Sequence, residues 1–436
     1  MTDPRAVAAV LAEIDRSATD LIGFAADLIR IPTVNPPGES YRECADAVGE
    51  HMESLGFDVE YHVADNRPEH TARHPRVNVV GSLSTEGAEA AARPCMHFNG
   101  HFDVVPPGEG WTFDPFCGDV LDGRLRGRGS ADMKSGLAAA VYAASALRRA
   151  GVPMGGTVEV SATVDEESGG FAGVAHLAEV GRIAKDRTDL VIIPEPFGVA
   201  RISVGHRGVY WYKVTALGRT GHGSMPFLGR SAIDDLAHVL SATRDQLAPE
   251  MAKRTTVMPV VPATARHGSV NVNSIVGGQA DANSAGGALG QTPCVADVAE
   301  AVFDRRFLLE EGFDAVRGEV EGMLERLQSE DPERHYVLED LMVVHPTQAP
   351  PDSPLTIALE RAIEEIVGTR AERVASPGTY DQKHVTRIAG IEHCVAYGPG
   401  ELEQAHQPDE SCSVADIITA SKVLAVATLD LLEGAP

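Results

Sequence analysis

Four short stretches of this chain put carboxylates and imidazoles where they could do chemistry. In Asn99-Gly100-His101-Phe102-Asp103-Val104-Val105-Pro106, His101 and Asp103 stand two residues apart, which in extended chain sends both side chains to one face. A neutral imidazole ligates metal, and a carboxylate on its other nitrogen fixes tautomer and orientation. Gly127-Arg128-Gly129-Ser130-Ala131-Asp132-Met133-Lys134-Ser135-Gly136 sets Asp132 ahead of a helical pattern, where the helix dipole alone would favour an acid. Val164-Asp165-Glu166-Glu167-Ser168-Gly169-Gly170 follows an apolar run. Two adjacent glutamates can divide the labour there, one holding metal and the other moving protons. Ile192-Ile193-Pro194-Glu195-Pro196 closes another apolar run with the lone Glu195.

Each stretch alone has a plain reading as a surface acid or a solvated loop. Together they recur roughly every 30 residues, the length of a strand-helix-strand unit. With a helix and a strand in each gap, every stretch returns the chain to the same edge of a sheet, which is where open α/β sheets gather their ligands. Several carboxylates with histidine and no cysteine suit catalytic zinc, manganese or cobalt better than a structural zinc.

The elements that would position these residues alternate. Helical patterns at Glu39 to Leu55, Ala131 to Ala150 and Gly170 to Glu179 interleave with β-favouring runs at Phe57 to Val63, Val77 to Leu83, Cys95 to Asn99, Thr157 to Val164 and Leu190 to Ile193. Such alternation predicts an α/β domain, a mixed and mainly parallel sheet flanked by helices. After Glu195 the pattern changes to strand-helix-strand-strand-helix-strand: Gly208 to Leu217, Ser231 to Leu247, Ser269 to Ile275, Val295 to Phe303, Glu311 to Ser329 and Tyr336 to Val344. This is the order of a small α+β unit. A strand at Ala200 to Val204 meets it at a Gly205–His206 turn, and the Gly/Ala/Ser-rich stretch Gly277 to Gly290 reads as a loop within it. From Pro354 the first pattern returns, with a helix to Val367, a strand at Ile391 to Tyr397 and a closing helix from Val414 to Leu432. The expected domains are therefore 1–203 and 346–436 for the α/β part, interrupted by an inserted α+β domain at 204–345.

Composition narrows the function. Among 436 residues, 43% are hydrophobic and 23% charged, an ordinary globular balance. Lys and Arg number 37 against 63 Asp and Glu, a net charge of −26, which argues against nucleic acid and anionic membrane as partners. No apolar run reaches membrane-spanning length. The Ala-rich helical pattern of residues 1–30 lacks the shape of a signal peptide. Six scattered cysteines form no C-x-x-C pair and read as reduced thiols of a cytoplasmic protein.

The motifs G-H-F-D-V-V-P, G-R-G-S-A-D-M-K-S-G, D-E-E-S-G and a C-terminal A-H-Q-P-D-E are highly specific as a set. Through them the chain resembles, from Ala26 to Leu432, the dinuclear zinc aminoacylases and carboxypeptidases, which include acetylornithine deacetylase, succinyl-diaminopimelate desuccinylase and glutamate carboxypeptidase. The resemblance implies two divalent ions per subunit, zinc first, with cobalt or manganese as alternatives. It implies that His101 and Glu195 hold one ion, Glu167 and His406 the other, and that Asp132 bridges them. Asp103 would orient His101, Glu166 would be the general base, and the Asp132–Met133 peptide bond would be cis. It further implies that the inserted domain is a dimerising lid, giving a homodimer or higher homo-oligomer. Its Gly221-His222-Gly223-Ser224-Met225-Pro226 loop would lend His222 to the partner's oxyanion. Asn273, Arg306 of the D-x-R at Asp304, Gly378 and Thr379 would line a small substrate bearing a carboxylate; Arg306 could clamp that carboxylate or simply pair with Asp304. The family's G-T-D or G-T-S-D is G-T-Y-D here, a departure that bears on the substrate and not on the metals.

The expected activity is metal-dependent hydrolysis of a C–N bond, the deacylation of an N-acyl amino acid. Alternatives with the same site are a carboxypeptidase or dipeptidase, or a hydrolase of a formamide, amidine or aryl amine. A non-catalytic metal-binding protein is the reading from another class, and it has no need of Glu166.

Overall fold

The computed structural model describes residues 3–84, 94–278 and 293–432. The chain divides into two compact units, one of residues 1–205, 349–374 and 380–436, the other of residues 206–348 and 375–379. In chain order the elements begin with α1 (Pro4–Arg30), α2 (Tyr41–Ser54), β1 (Asp58–Val63), β2 (Val77–Ser84), β3 (Cys95–His101), β4 (Val120–Leu121), β5 (Arg124–Arg126), α3 (Lys134–Arg149), β6 (Thr157–Thr163), α4 (Val174–Glu179), β7 (Leu190–Ile193) and β8 (Arg201–His206). Then come β9 (Gly208–Leu217), α5 (Ala232–Ala242), α6 (Ala248–Ala252), β10 (Ser269–Gly278), β11 (Val298–Phe307), α7 (Phe313–Glu330), β12 (His335–Val344) and β13 (Thr347–Gln348). The chain closes with α8 (Pro354–Val367), β14 (Glu372–Ser376), α9 (Gln382–Arg387), β15 (Cys394–Ala396), β16 (Ser411–Ser413) and α10 (Val414–Leu432).

The first unit is built on a mixed sheet ordered β1-β2-β6-β3-β7-β15-β8. Its centre is parallel, β6 with β3, β3 with β7 and β7 with β15, and its flanks are antiparallel. β3, β6 and β7 are buried along their whole length, as strands covered on both faces must be. α1 buries Val7, Val10, Ile14, Leu21, Phe24 and Leu28, the helical spacing of one apolar stripe, and packs with α3 and α10. The second unit is an antiparallel sheet ordered β10-β11-β9-β12, with a core of Tyr210, Tyr212, Phe303 and Phe307 under α5 and α7. The described order β9-α5-β10-β11-α7-β12 is the strand and helix order expected of the insert.

Several boundaries differ from the sequence expectation for physical reasons. The helix expected to reach Leu247 leaves α geometry at Ala242, passes through a π-helical turn Thr243–Leu247 and resumes as α6. Pro249, two residues into α6, has no N–H for the α ladder and crowds the carbonyl four residues before it. β8 runs on through the expected turn to His206. Gly277 and Gly278 belong to β10, and the rest of the expected Gly/Ala/Ser loop lies outside the described residues. All six cysteines are free thiols. Among the described residues no helix is long and apolar enough to cross a membrane.

Candidate metal centre

Because β3, β6 and β7 run parallel, their carboxyl ends share one edge of the sheet. His101 is the last residue of β3, Glu166 and Glu167 open a 3-10 turn after β6, and Glu195 stands just beyond β7. The gaps before Glu166 and Glu195 hold a helix and a strand as expected, α3 with β6 and α4 with β7. The gap before Asp132 does not. Residues 102–131, rich in Pro and Gly, contain no helix and instead form the β4–β5 hairpin, which pairs through Arg126 and Ser411 with β16. That small sheet ties the Asp132 loop to the segment that follows His406. The Asp132–Met133 peptide bond is cis. Gly136, in the first turn of α3, lets the helix approach the turn before Glu195: a Cβ there would stand 2.0 Å from the Pro194 carbonyl oxygen, a separation no other residue could accept.

The donors converge in two groups of three, His101, Asp132 and Glu195, and Asp132, Glu167 and His406, with the donor atoms of each group within 4.8 Å of one another. His101 Nε2 lies 3.1 Å from Asp132 Oδ1 and 3.8 Å from Glu195 Oε1. His406 Nε2 lies 3.1 Å from Glu167 Oε2 and 3.6 Å from Asp132 Oδ2. Asp132 thus presents one oxygen to each group. His101 is buried and His406 about half exposed, at 49%.

Protonation reflects crowding. Burial pushes Glu167 up to about 7 and Glu195 well above the carboxylate range. Burial also works against the Asp132 charge, but His101, His406 and the hydrogen bond with Glu195 together outweigh it and hold that carboxyl low. His101 is raised despite its burial by Asp103 and Asp132, and a hydrogen bond with Glu167 carries His406 to about 9. Three carboxylates around two imidazoles have more negative charge than their own partners neutralise, and an oxygen-rich set with nitrogen donors is suited to divalent cations.

Neighbouring groups fix this set. Asp103 does more than the sequence indicated. His101 Nδ1 is nearer the Asp103 main-chain oxygen, at 3.0 Å, than its carboxylate, at 3.5 Å. The carboxylate accepts from the backbone N–H of Glu166 at 3.1 Å, from that of Glu167 at 3.2 Å and from Asn35 Nδ2 at 2.9 Å, so it anchors the turn carrying both glutamates. Glu410 accepts from the backbone N–H groups of Gly129, Ala131 and Asp132 and from the Arg128 guanidinium, which also donates to the Gln407 carbonyl. The Asp132 and His406 loops are latched by this pair. Glu166 Oε1 accepts from Lys383 Nζ at 2.8 Å. Glu410 and Arg128 lie inside the motifs read from the sequence yet drew no role there. Lys383 carries no sequence signal at all.

The remaining expected residues lie in the second unit. His222 Nδ1 accepts from the Ser224 backbone N–H at 3.1 Å and lies 2.8 Å from Ser224 Oγ, which leaves the proton of a neutral ring on Nε2. Asn273 sits at a β-bulge in β10 and accepts from Asn271 Nδ2. Arg306 makes a two-pronged pair with Asp304, at 2.8 and 2.9 Å. Gly378 donates its N–H to Ser376 Oγ, and it and Thr379 belong to the short 375–379 segment.

Residues 97–430 match the model of Peptidase family M20/M25/M40. The chain belongs to that family. This M20 member is 30% identical over 420 residues to a succinyl-diaminopimelate desuccinylase of Methylobacterium radiotolerans, covering 92% of this chain and 95% of that one. Its fold is that of human carnosine dipeptidase 1, with a TM-score of 0.75 at 19% identity over 99% of each chain. It is also that of a dinuclear metal binding peptidase of the M20 family from Bacillus subtilis, with a TM-score of 0.68 at 15% identity, covering 96% of this chain and 99% of that one. As a member of the family the protein is a metal-dependent hydrolase of amide bonds.

Proposed function

We propose that this M20 chain removes an acyl group from an N-acyl amino acid in the cytoplasm, as a homodimer carrying two divalent ions per subunit, zinc before cobalt or manganese. The observation that supports it most is the convergence of His101, Asp132, Glu167, Glu195 and His406 around one shared carboxylate, with Glu166 beside them. The near full-length similarity to a desuccinylase favours deacylation over peptide cleavage.

His101 and Glu195 would hold one ion, Glu167 and His406 the other, and Asp132 both. When bound, the ions supply Lewis acidity to a water and to the substrate carbonyl. Glu166 accepts the water's proton and passes it to the departing amine nitrogen, so one carboxylate serves as base and then as acid. Asp103 holds the backbone of Glu166 and Glu167 in register for this transfer. His222 of the partner subunit donates its Nε2–H to the tetrahedral oxyanion. Arg306, Asn273, Gly378 and Thr379 line the substrate, Arg306 by exchanging Asp304 for the substrate carboxylate.

The test is turnover by the metal-loaded protein on a panel of N-succinyl, N-acetyl and N-formyl amino acids, dipeptides and aryl amides. Preference for an N-acyl amino acid, abolished by chelation, supports the reading. Preference for dipeptides or aryl amides moves the assignment within the family, and binding of metal with no C–N substrate turned over refutes it.

A further inference from the structure

We propose that Lys383 is the positioning residue for Glu166, an inference that rests on Glu166 being the proton carrier. Lys383 is buried, with 4% of its side chain exposed, and a buried ammonium is expensive unless a partner requires it. Its Nζ donates to Glu166 Oε1 at 2.8 Å. The Glu166 backbone N–H is meanwhile fixed by Asp103 at 3.1 Å. The residue is therefore held at both ends, by its own amide and by one carboxylate oxygen, and Oε2 is left to exchange the proton.

The scaffold behind Lys383 belongs to the same strands as the metal ligands. α9 is preceded by its N-cap residue Asp381, whose Oδ2 accepts from Asn99 Nδ2 at 2.8 Å. Asn99 lies on β3, two residues before His101. Its amide is oriented in turn by Ser161 on β6, whose hydroxyl donates to Asn99 Oδ1 at 2.7 Å. The neighbours of Lys383 secure the helix from either side. Gln382 Nε2 donates to the Cys394 carbonyl on β15, and His384 Nε2 meets the Gly169 carbonyl at 2.7 Å, at the close of the turn that carries Glu166. Three successive buried side chains of one short helix thus back the sheet and the glutamate turn together. A cation used only to fill space would not need its helix registered to β3, β6 and the turn at once.

Variants separate positioning from mere packing. Lys383→Met should fold and bind two ions per chain, by elemental analysis, while kcat on the preferred N-acyl amino acid falls about 10- to 100-fold, the usual cost of losing such a supporting contact. KM should change little. Lys383→Arg, which keeps the charge in a different geometry, should recover part of the loss. In a Glu166→Gln background, Lys383→Met should cost nothing further, because residues acting as a unit are non-additive. Wild-type kcat in Lys383→Met, an equal loss in both backgrounds, or a loss that tracks missing metal overturns the proposal. Should the Met variant fail to fold, Lys383→Gln carries the same comparison. Normal turnover in Glu166→Gln alone refutes the base assignment instead, which keeps the two failures distinct.

Discussion

Two clusters of buried ionisable groups, one within β3 and β6 and one at the carboxyl ends of β3, β6 and β7, behave oppositely. His97 on β3 and Glu159 on β6 are joined by Arg182, which reaches both Glu159 oxygens at 2.9 Å, while His97 Nδ1 lies 3.1 Å from Oε2. Burial alone would raise Glu159, but His97 and Arg182 outweigh it and hold its carboxyl well below the usual range. Just beyond β6 and β7, Glu167 and Glu195 are raised by the same burial, to which neighbouring carboxylates add and which the imidazoles offset only in part. The difference teaches how to read buried acids. A carboxylate that the fold has neutralised by itself is a structural ion pair, whereas a surplus of buried carboxylates marks a place where the compensating charge comes from outside the chain.

Substitutions should break this comparison in a graded way. The largest effect is expected from Asp132→Ala, which removes the oxygen donors common to both groups. Activity should vanish and elemental analysis should show both ions lost; full occupancy would refute the shared role. Next is Glu166→Gln, which removes proton transfer and no ligand. It should keep two ions while kcat falls about 10²- to 10⁴-fold, and near-normal turnover would refute the base. His222→Ala should bind metal normally and lose about 10²- to 10³-fold, the worth of one oxyanion donor. Mixing it with Glu166→Gln chains under subunit exchange should restore activity, since one site of each mixed dimer has both residues intact. No rescue despite proven exchange would place His222 outside the partner's site.

Glu159→Gln should have the smallest effect on turnover and a clear one on stability. Leaving Arg182 without its buried partner is expected to cost about 3 kcal/mol in chemical denaturation, with unchanged metal content and kcat per folded molecule. The sign of its pH dependence is fixed. The folded Glu159 is more acidic than the unfolded one, so its contribution is present above the ordinary carboxylate range and is lost as pH falls. The wild type should therefore lose more stability than the variant on acidification. Equal acid sensitivity would mean that the pair contributes little.

Much of this was legible in the sequence because strand ends and spacing carry it. His101, Glu166, Glu167 and Glu195 follow short apolar runs, and the parallel order of β3, β6 and β7 brings those ends to one edge. For Asp132 the expected spacing argument is partly wrong. Its loop arrives through the β4–β5 hairpin rather than through a helix and a strand, which the Gly- and Pro-rich residues before it disfavour. His406, in a polar run, had no signal of its own and depended on the family motif. Lys383 is out of reach, since a lone lysine far along the chain becomes meaningful only when α9 is laid against the glutamate turn. The π-helical turn before Pro249 was likewise hidden, because the apolar spacing of α5 continues across it.

The central claim is that the cluster around Asp132 is a two-ion hydrolytic centre served by Glu166. The most direct test titrates zinc or cobalt into chelator-stripped protein while bound ion and turnover of an N-acyl amino acid are measured on the same samples. Turnover should rise with loading to a plateau at two ions per chain, and Glu166→Gln should bind the same two ions without turnover. Saturation at one ion or none, or full loading with no amide hydrolysed by the wild type, would contradict the account.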